Sequence, residues 1–253
     1  MSDIVLYDAV NSPCGRRVRM TLLEKKADFE IRWLALAVME QKQDWYLKLN
    51  PAGLVPTLIH AEQSLFDSNV INEYLARSLA GIELIPDSLS LQTEMRMWMA
   101  FEMEWAKPFR EAIYQSYGKS RLRETGLDTA SLSARVRENT ANTAYLNTAK
   151  SVLNDPIDEK RLNDCIKVLM ERMQWMEEQL SDSRDWLLGK KFTLADITLG
   201  PRLDMFPFIG VNDLYQRYPR IGSYMERLKS RPSWESSDIK PPVNENVTFV
   251  RTK

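Results

Sequence analysis

Apolar positions follow two different periods along the chain. Up to Ala80 they come in short runs. Ile4–Tyr7 is too brief for a stable helix and predicts a buried strand. Asn11, Ser12 and Pro13 then open a helix running to Lys25, with Val18, Leu22 and Leu23 at helical spacing. Ser12 suits the cap, and Pro13 suits the first helical position, where its missing N–H has no intrahelical partner. Phe29, Ile31 and Trp33 alternate as a second strand, so 4–34 predicts a βαβ unit. Residues 40–49 predict a short irregular helix, and Asn50-Pro51-Ala52-Gly53 a turn. Thr57–His60 and Ser64–Phe66 predict a hairpin, and Ser68–Leu79 a helix with Val70, Ile71, Tyr74 and Leu75 on one face.

Past a linker at 81–87 the strand pattern stops, and 88–235 carries helical periodicity. Leu91–Tyr117 and Leu162–Leu180 are the longest predicted helices. Between them 118–160 is polar, with a weaker helical piece at 131–150; the tail from Pro241 has no periodicity. Thr193 and Asp196 form a capping box, with Phe192 and Ile197 placed as its hydrophobic staple. The expected domains are 1–81, 88–240 and a tail at 241–253.

Composition narrows the function classes. With 34 Lys+Arg against 35 Asp+Glu, the net charge is -1 and no basic excess suggests a nucleic-acid or membrane-surface partner. Two cysteines, Cys14 and Cys165, make no disulfide framework, which favours a reducing compartment. His60 is the single histidine, so no metal site is expected. The N-terminus lacks the pattern of a secretory signal, and the run at 33–39 is far short of a membrane span. A cytoplasmic protein is expected.

Three places in the first eighty residues carry chemistry. Ser12-Pro13-Cys14 sits at a strand-to-helix junction, where free N–H groups and the positive dipole end favour an anion. There a hydroxyl can donate to a thiolate, although Ser12 equally reads as a plain N-cap. Pro56 at a strand start is compatible with a cis bond that turns the Val55 backbone outward. Asp67-Ser68 precedes a helix: Ser68 as cap suits a carboxylate and Asp67 suits an ammonium, together an amino-acid head group, or else an ordinary capping pair.

These motifs, in this order and spacing, resemble the cytosolic glutathione transferases. The residues that carry the resemblance are Leu6-Tyr7, Ser12-Pro13-Cys14, Asn50-Pro51-Ala52-Gly53-Leu54-Val55-Pro56-Thr57 and Asp67-Ser68-Asn69-Val70, with the Thr193–Asp196 box. The resemblance spans about 3–235 and implies an α/β thioredoxin-like N-terminal domain and an all-α C-terminal domain. It also implies a homodimer that takes glutathione as co-substrate. Ser12 matches the activating serine of theta- and zeta-like classes, with Cys14 and Tyr7 as secondary candidates. Val55 and Pro56 match the cis-proline edge, Asp67 and Ser68 the γ-glutamyl site, and Gln41 and Lys42 the contact to the glycine carboxylate.

The apolar stripe of the first long helix, with Trp98, Met99, Trp105 and Phe109, reads either as core or as the lining of an electrophile pocket, to which Phe206 contributes. The long polar segment 118–160 and Asp44-Trp45 are similar to the bacterial branch containing β-aryl etherases. The expected reaction is attack of the glutathione thiolate on an apolar electrophile, by conjugation or by displacement such as aryl-ether cleavage. The alternatives are a non-catalytic regulatory protein on the same fold and a thiol–disulfide exchanger using Cys14.

Overall fold

A computed structural model describes residues 3–36, 39–119, 126, 128, 130, 131, 147, 150, 151, 154–182 and 184–239. The helical piece expected at 131–150 lies largely outside these residues, and the tail at 241–253 wholly so. The N-terminal part holds β1 (Ile4–Asp8), α1 (Pro13–Glu24), β2 (Glu30–Trp33), α2 (Asp44–Leu49), β3 (Thr57–His60), β4 (Gln63–Phe66) and α3 (Ser68–Ser78).

The sheet order is β2-β1-β3-β4. β1 and β2 run parallel, as the intervening α1 requires, and the other two pairings are antiparallel. The β3–β4 turn is tighter than the sequence suggests: only Ala61 and Glu62 lie in it, both left-handed (φ 48° and 64°), and Gln63 already belongs to β4. One sheet face buries Ile4, Leu6 and Leu58 against Val18 and Leu22 of α1 and Ile71 and Leu75 of α3. On the other face Tyr7 packs with Leu34 and with Tyr46 of α2.

Every described helix beyond residue 88 joins one large core. These are α4 (Leu89–Ile113), α5 (Glu159–Gln179), α6 (Leu194–Leu203), α7 (Leu214–Arg217), α8 (Pro219–Lys229) and α9 (Pro232–Ser236). Pro108 lies inside α4, which runs on to Ile113 and then into one π-helical turn, Tyr114–Gly118. The capping box starts α6: Asp196 Oδ2 accepts from Thr193 N at 2.8 Å, and Thr193 Oγ1 accepts from Ala195 N at 3.3 Å. Box-driven nucleation suits α6, because every residue of it is buried.

The apolar stripe of α4 settles as core. Trp98, Met99, Trp105, Phe109 and Phe206 are all buried in this helical core, and none of them lines the cleft beside Ser12. The reason is area: a long amphipathic helix gains most by turning its widest apolar face onto its neighbours.

Buried ion pairs tie the two parts together. Glu102 of α4 accepts from Arg17 of α1 and from Arg202 of α6. Arg16 bonds Asp204 and the carbonyl of Trp234, both at 3.1 Å, and Arg231 pairs with Glu24 at 2.7 Å. One face of α1 therefore belongs to the sheet core and the other to the helical part.

Candidate active site

The sheet register brings three chain segments to one end. Tyr7 pairs with Thr57, and Thr57 with Phe66. The loop leaving β1 toward Ser12, the Val55-Pro56 entry to β3, and Asp67 leaving β4 all emerge at that level.

Ser12 caps α1, with Pro13 in its first turn. Its Oγ accepts from Gly15 N at 3.0 Å, which leaves the hydroxyl proton to donate elsewhere. The half-buried side chain lines a cleft of about 240 Å³ between the two parts. Val10, Asn11 and Pro13 form one wall, and Met205, Phe208 and Ile239 the other. Phe208, rather than the buried Phe206, is the aromatic that reaches this cleft.

Val55–Pro56 is a cis peptide. Neither the N–H nor the C=O of Val55 pairs among the described residues. The segment around it is braced from behind. Tyr46 Oη bonds the Leu54 carbonyl at 2.6 Å and Thr57 Oγ1 at 2.7 Å, while Asn50 Nδ2 donates to the same two oxygens at 2.8 and 3.0 Å. Asn50 Oδ1 also closes the turn on Ala52 N at 3.0 Å.

Gly53 (φ 56°) lies against Gln41 and Lys42: a Cβ there would meet the Gln41 carbonyl and Lys42 Nζ, each at 2.9 Å. Lys42 Nζ donates to the Ala52 carbonyl at 3.1 Å, and burial lowers its pKa. The Gln41 carbonyl and the Lys42 ammonium thus stand beside the same loop as Val55.

The roles at α3 differ from the sequence expectation. Asp67, not Ser68, is the N-cap: its Oδ1 accepts from Asn69 N at 2.9 Å and Val70 N at 3.2 Å. The exposed Asp67 holds φ 70°, unusual for a non-glycine residue and typical of functional loops. Ser68 is buried as the first helical residue, and its Oγ accepts from Arg17 Nη1 at 3.4 Å. Ser68 is turned inward to Arg17, and one Asp67 oxygen spans the two orphan N–H groups in its place.

The two secondary candidates have side-chain partners of their own. The Tyr7 hydroxyl lies on the α2 face of the sheet and accepts from Arg32 Nη1 at 3.0 Å. Cys14 Sγ accepts from Arg202 Nη2 at 3.6 Å, inside the contact between α1 and α6. Glu102 at the centre of that contact is completely buried. Burial alone pushes its carboxyl up, but the Arg17 and Arg202 guanidiniums outweigh it and hold the pKa below the usual range.

Sequence reasoning passed over Asn50, Tyr46, Arg17 and Arg202 as site supports. Glu102 did carry a signal, since a lone carboxylate on the Trp98–Trp105 stripe must find buried cations. Among the described residues no group of His, Cys, Asp or Glu could hold a metal ion, and no helix is long and apolar enough to cross a membrane.

Residues 11–78 match the family model of the glutathione S-transferase N-terminal domain, and residues 138–232 that of the C-terminal domain. Glutathione S-transferase 3 of Zea mays is 36% identical over 254 residues, covering 99% of this chain and 96% of the relative. A glutathione S-transferase of Hyoscyamus muticus is 26% identical over 235 residues, covering 92% and 96%. Among solved structures, beta-etherase LigF from Sphingobium sp. strain SYK-6 shares the fold at a TM-score of 0.81 and 23% identity, covering 94% of this chain and 98% of that one. A glutathione S-transferase from Methylobacillus flagellatus with glutathione bound follows at 0.69 and 22%, covering 92% and 98%. With both domains matched, and with 36% identity to the maize enzyme along almost its whole length, the chain belongs to the glutathione S-transferase family.

Proposed function

We propose that this transferase holds glutathione along the Val55–Asp67 end of the sheet, and that Ser12 keeps its sulfur as the thiolate. The carrying observation is that the Ser12 hydroxyl, the unpaired Val55 backbone and Asp67 emerge at one end of the sheet beside an open cleft. Val55 would pair with the cysteinyl backbone. The free Asp67 oxygen would take the γ-glutamyl ammonium, the N-terminal turn of α3 its carboxylate, and Lys42 with Gln41 the glycine carboxylate. These residues support a bound tripeptide without any metal.

The energetics suit neutral pH. A free thiol has a pKa of about 8.5, and a hydrogen bond to a charged group is worth about 1.5–3 kcal/mol, or roughly one to two pKa units. One serine hydroxyl at the positive end of α1 is therefore enough to make much of the bound sulfur ionic. The thiolate attacks an electrophilic carbon held against Val10, Met205 and Phe208. A C–S bond forms as the bond to the leaving group breaks, and a departing aryloxide or halide keeps the electron pair. The fold shared with LigF supports aryl ethers as one electrophile class to assay.

The two-domain division at the 81–87 linker, a cytoplasmic setting and a homodimer belong to the same reading. Exposed Phe66, Val70, Met97 and Met103 support the last. The test is Ser12→Ala with a panel of aryl ethers and aryl halides. Turnover near neutral pH should fall about 10–150-fold, and the deficit should shrink as rising pH ionises the thiol unaided. Full activity at neutral pH in Ser12→Ala, with activity abolished in Cys14→Ala, would transfer the role to the cysteine.

A further inference from the structure

A second cavity, of about 280 Å³, shares no residue with the Ser12 cleft. It lies between Leu180 after α5, Arg184 in the following loop, and Pro219, Arg220, Ser223 and Arg227 of α8. The spacing of three and four puts Arg220, Ser223 and Arg227 on one face of that helix.

The three guanidiniums differ in how they are compensated. Arg184 grips the Asp182 carboxylate through Nε at 2.8 Å and Nη2 at 2.7 Å, so its charge is largely offset. Arg220 and Arg227 rest on neutral carbonyls instead. Arg220 Nη1 donates to the Glu177 carbonyl at 3.3 Å. Arg227 donates to the Asp185 carbonyl at 2.9 Å and to the Arg184 carbonyl at 3.3 Å. The Glu177 carboxylate is already committed to the backbone N–H groups of Arg220 and Ile221 at 3.0 and 2.9 Å, which closes the start of α8 to any other anion.

Carbonyl contacts fix a guanidinium without neutralising it. Each fork keeps donors on its other edge, and Arg227, held by two carbonyls, has little side-chain freedom left to lose on binding. Two guanidiniums without an ion pair among the described residues, and a serine hydroxyl, in one hollow match the oxygens of a phosphate group. Leu180 and Pro219 add an apolar wall, and the volume exceeds what a bare ion needs. We infer that this hollow is an anion site for the phosphate or diphosphate group of a small soluble organic phosphate. It is separate from catalysis and beyond the glutathione reading.

The test is titration of inorganic pyrophosphate into the full chain by calorimetry and thermal melting, with sodium chloride at matched ionic strength as the reference. Pyrophosphate should raise the melting temperature beyond the chloride reference. The Arg220→Gln/Arg227→Gln variant should bind at least about tenfold more weakly, while glutathione turnover stays at the parent level. Ser223→Asp, a change at an exposed position that places a carboxylate in the hollow, should abolish the shift even if the double variant folds poorly. A pyrophosphate effect equal to that of chloride, or one that survives Ser223→Asp, would overturn the site.

Discussion

Arg17 of α1 and Glu102 of α4 meet across the boundary between the sheet part and the helical part, both fully buried. The same Arg17 also holds Ser68 at the start of α3, and Glu102 also holds Arg202. A single carboxylate therefore links α1, and through it the start of α3, to α4 and α6.

Removing that charge should be costly. Glu102→Gln keeps the shape but leaves two buried guanidiniums without an anion. Breaking a buried pair on one side costs about 3–5 kcal/mol. Urea unfolding followed by circular dichroism should show a midpoint far below that of the parent chain. An unchanged midpoint would show that the pair contributes nothing net.

Asp196 predicts a pH dependence of stability. Burial raises its pKa from 3.8 to about 6, against the opposing hydrogen bonds from Leu187 N and Thr193 N. The folded-state value lies above the unfolded one, so this group's contribution is fully present below 3.8 and is lost as pH rises through about 6. Asp196→Asn should flatten the stability profile across that window. It should also lower stability at every pH, because one amide oxygen replaces two carboxylate oxygens that serve three donors. Unfolding free energies measured across the window decide it; an unaltered slope in the variant refutes the assignment.

Asn50 should act on glutathione binding without touching glutathione. Its amide holds Leu54, Thr57 and Ala52, and so the backbone of Val55 between them. Losing these bonds in Asn50→Ala should cost about 1–3 kcal/mol of stability. It should also raise KM for glutathione more than it lowers kcat at saturation. Steady-state kinetics with glutathione as the varied substrate provide the check, and an unchanged KM rules the role out.

Phe208 and Phe109 separate cleft from core. Phe109 is buried between Trp105 and Phe206, with ring centroids 6.2 and 5.4 Å away. Phe109→Ala should cost about 3–5 kcal/mol of stability through the cavity it leaves. Phe208 is 37% exposed on the cleft wall, so Phe208→Ala should leave the melting temperature nearly unchanged and raise KM for the electrophile. Equal losses of stability in the two variants would reverse the division.

Local rules were enough for much of the fold. Ser12 and Pro13 announce the start of α1, Thr193 and Asp196 the start of α6, and the alternation through Phe29, Ile31 and Trp33 the strand β2. Each depends on neighbours within a few residues, which sequence order preserves. The order of motifs from Ser12 through Val55-Pro56 to Asp67 likewise carried the family resemblance. Only tertiary structure decided which face of α4 became core, because periodicity marks Trp98, Trp105 and Phe109 as one stripe without saying what covers it. It also decided that Asp67 takes the cap from Ser68, since Ser68 is drawn inward to Arg17, a residue fifty-one positions earlier. Tyr7 went to the Arg32 side and Cys14 to Arg202 for the same physical reason: a side chain's partner is chosen by packing between elements distant in the chain.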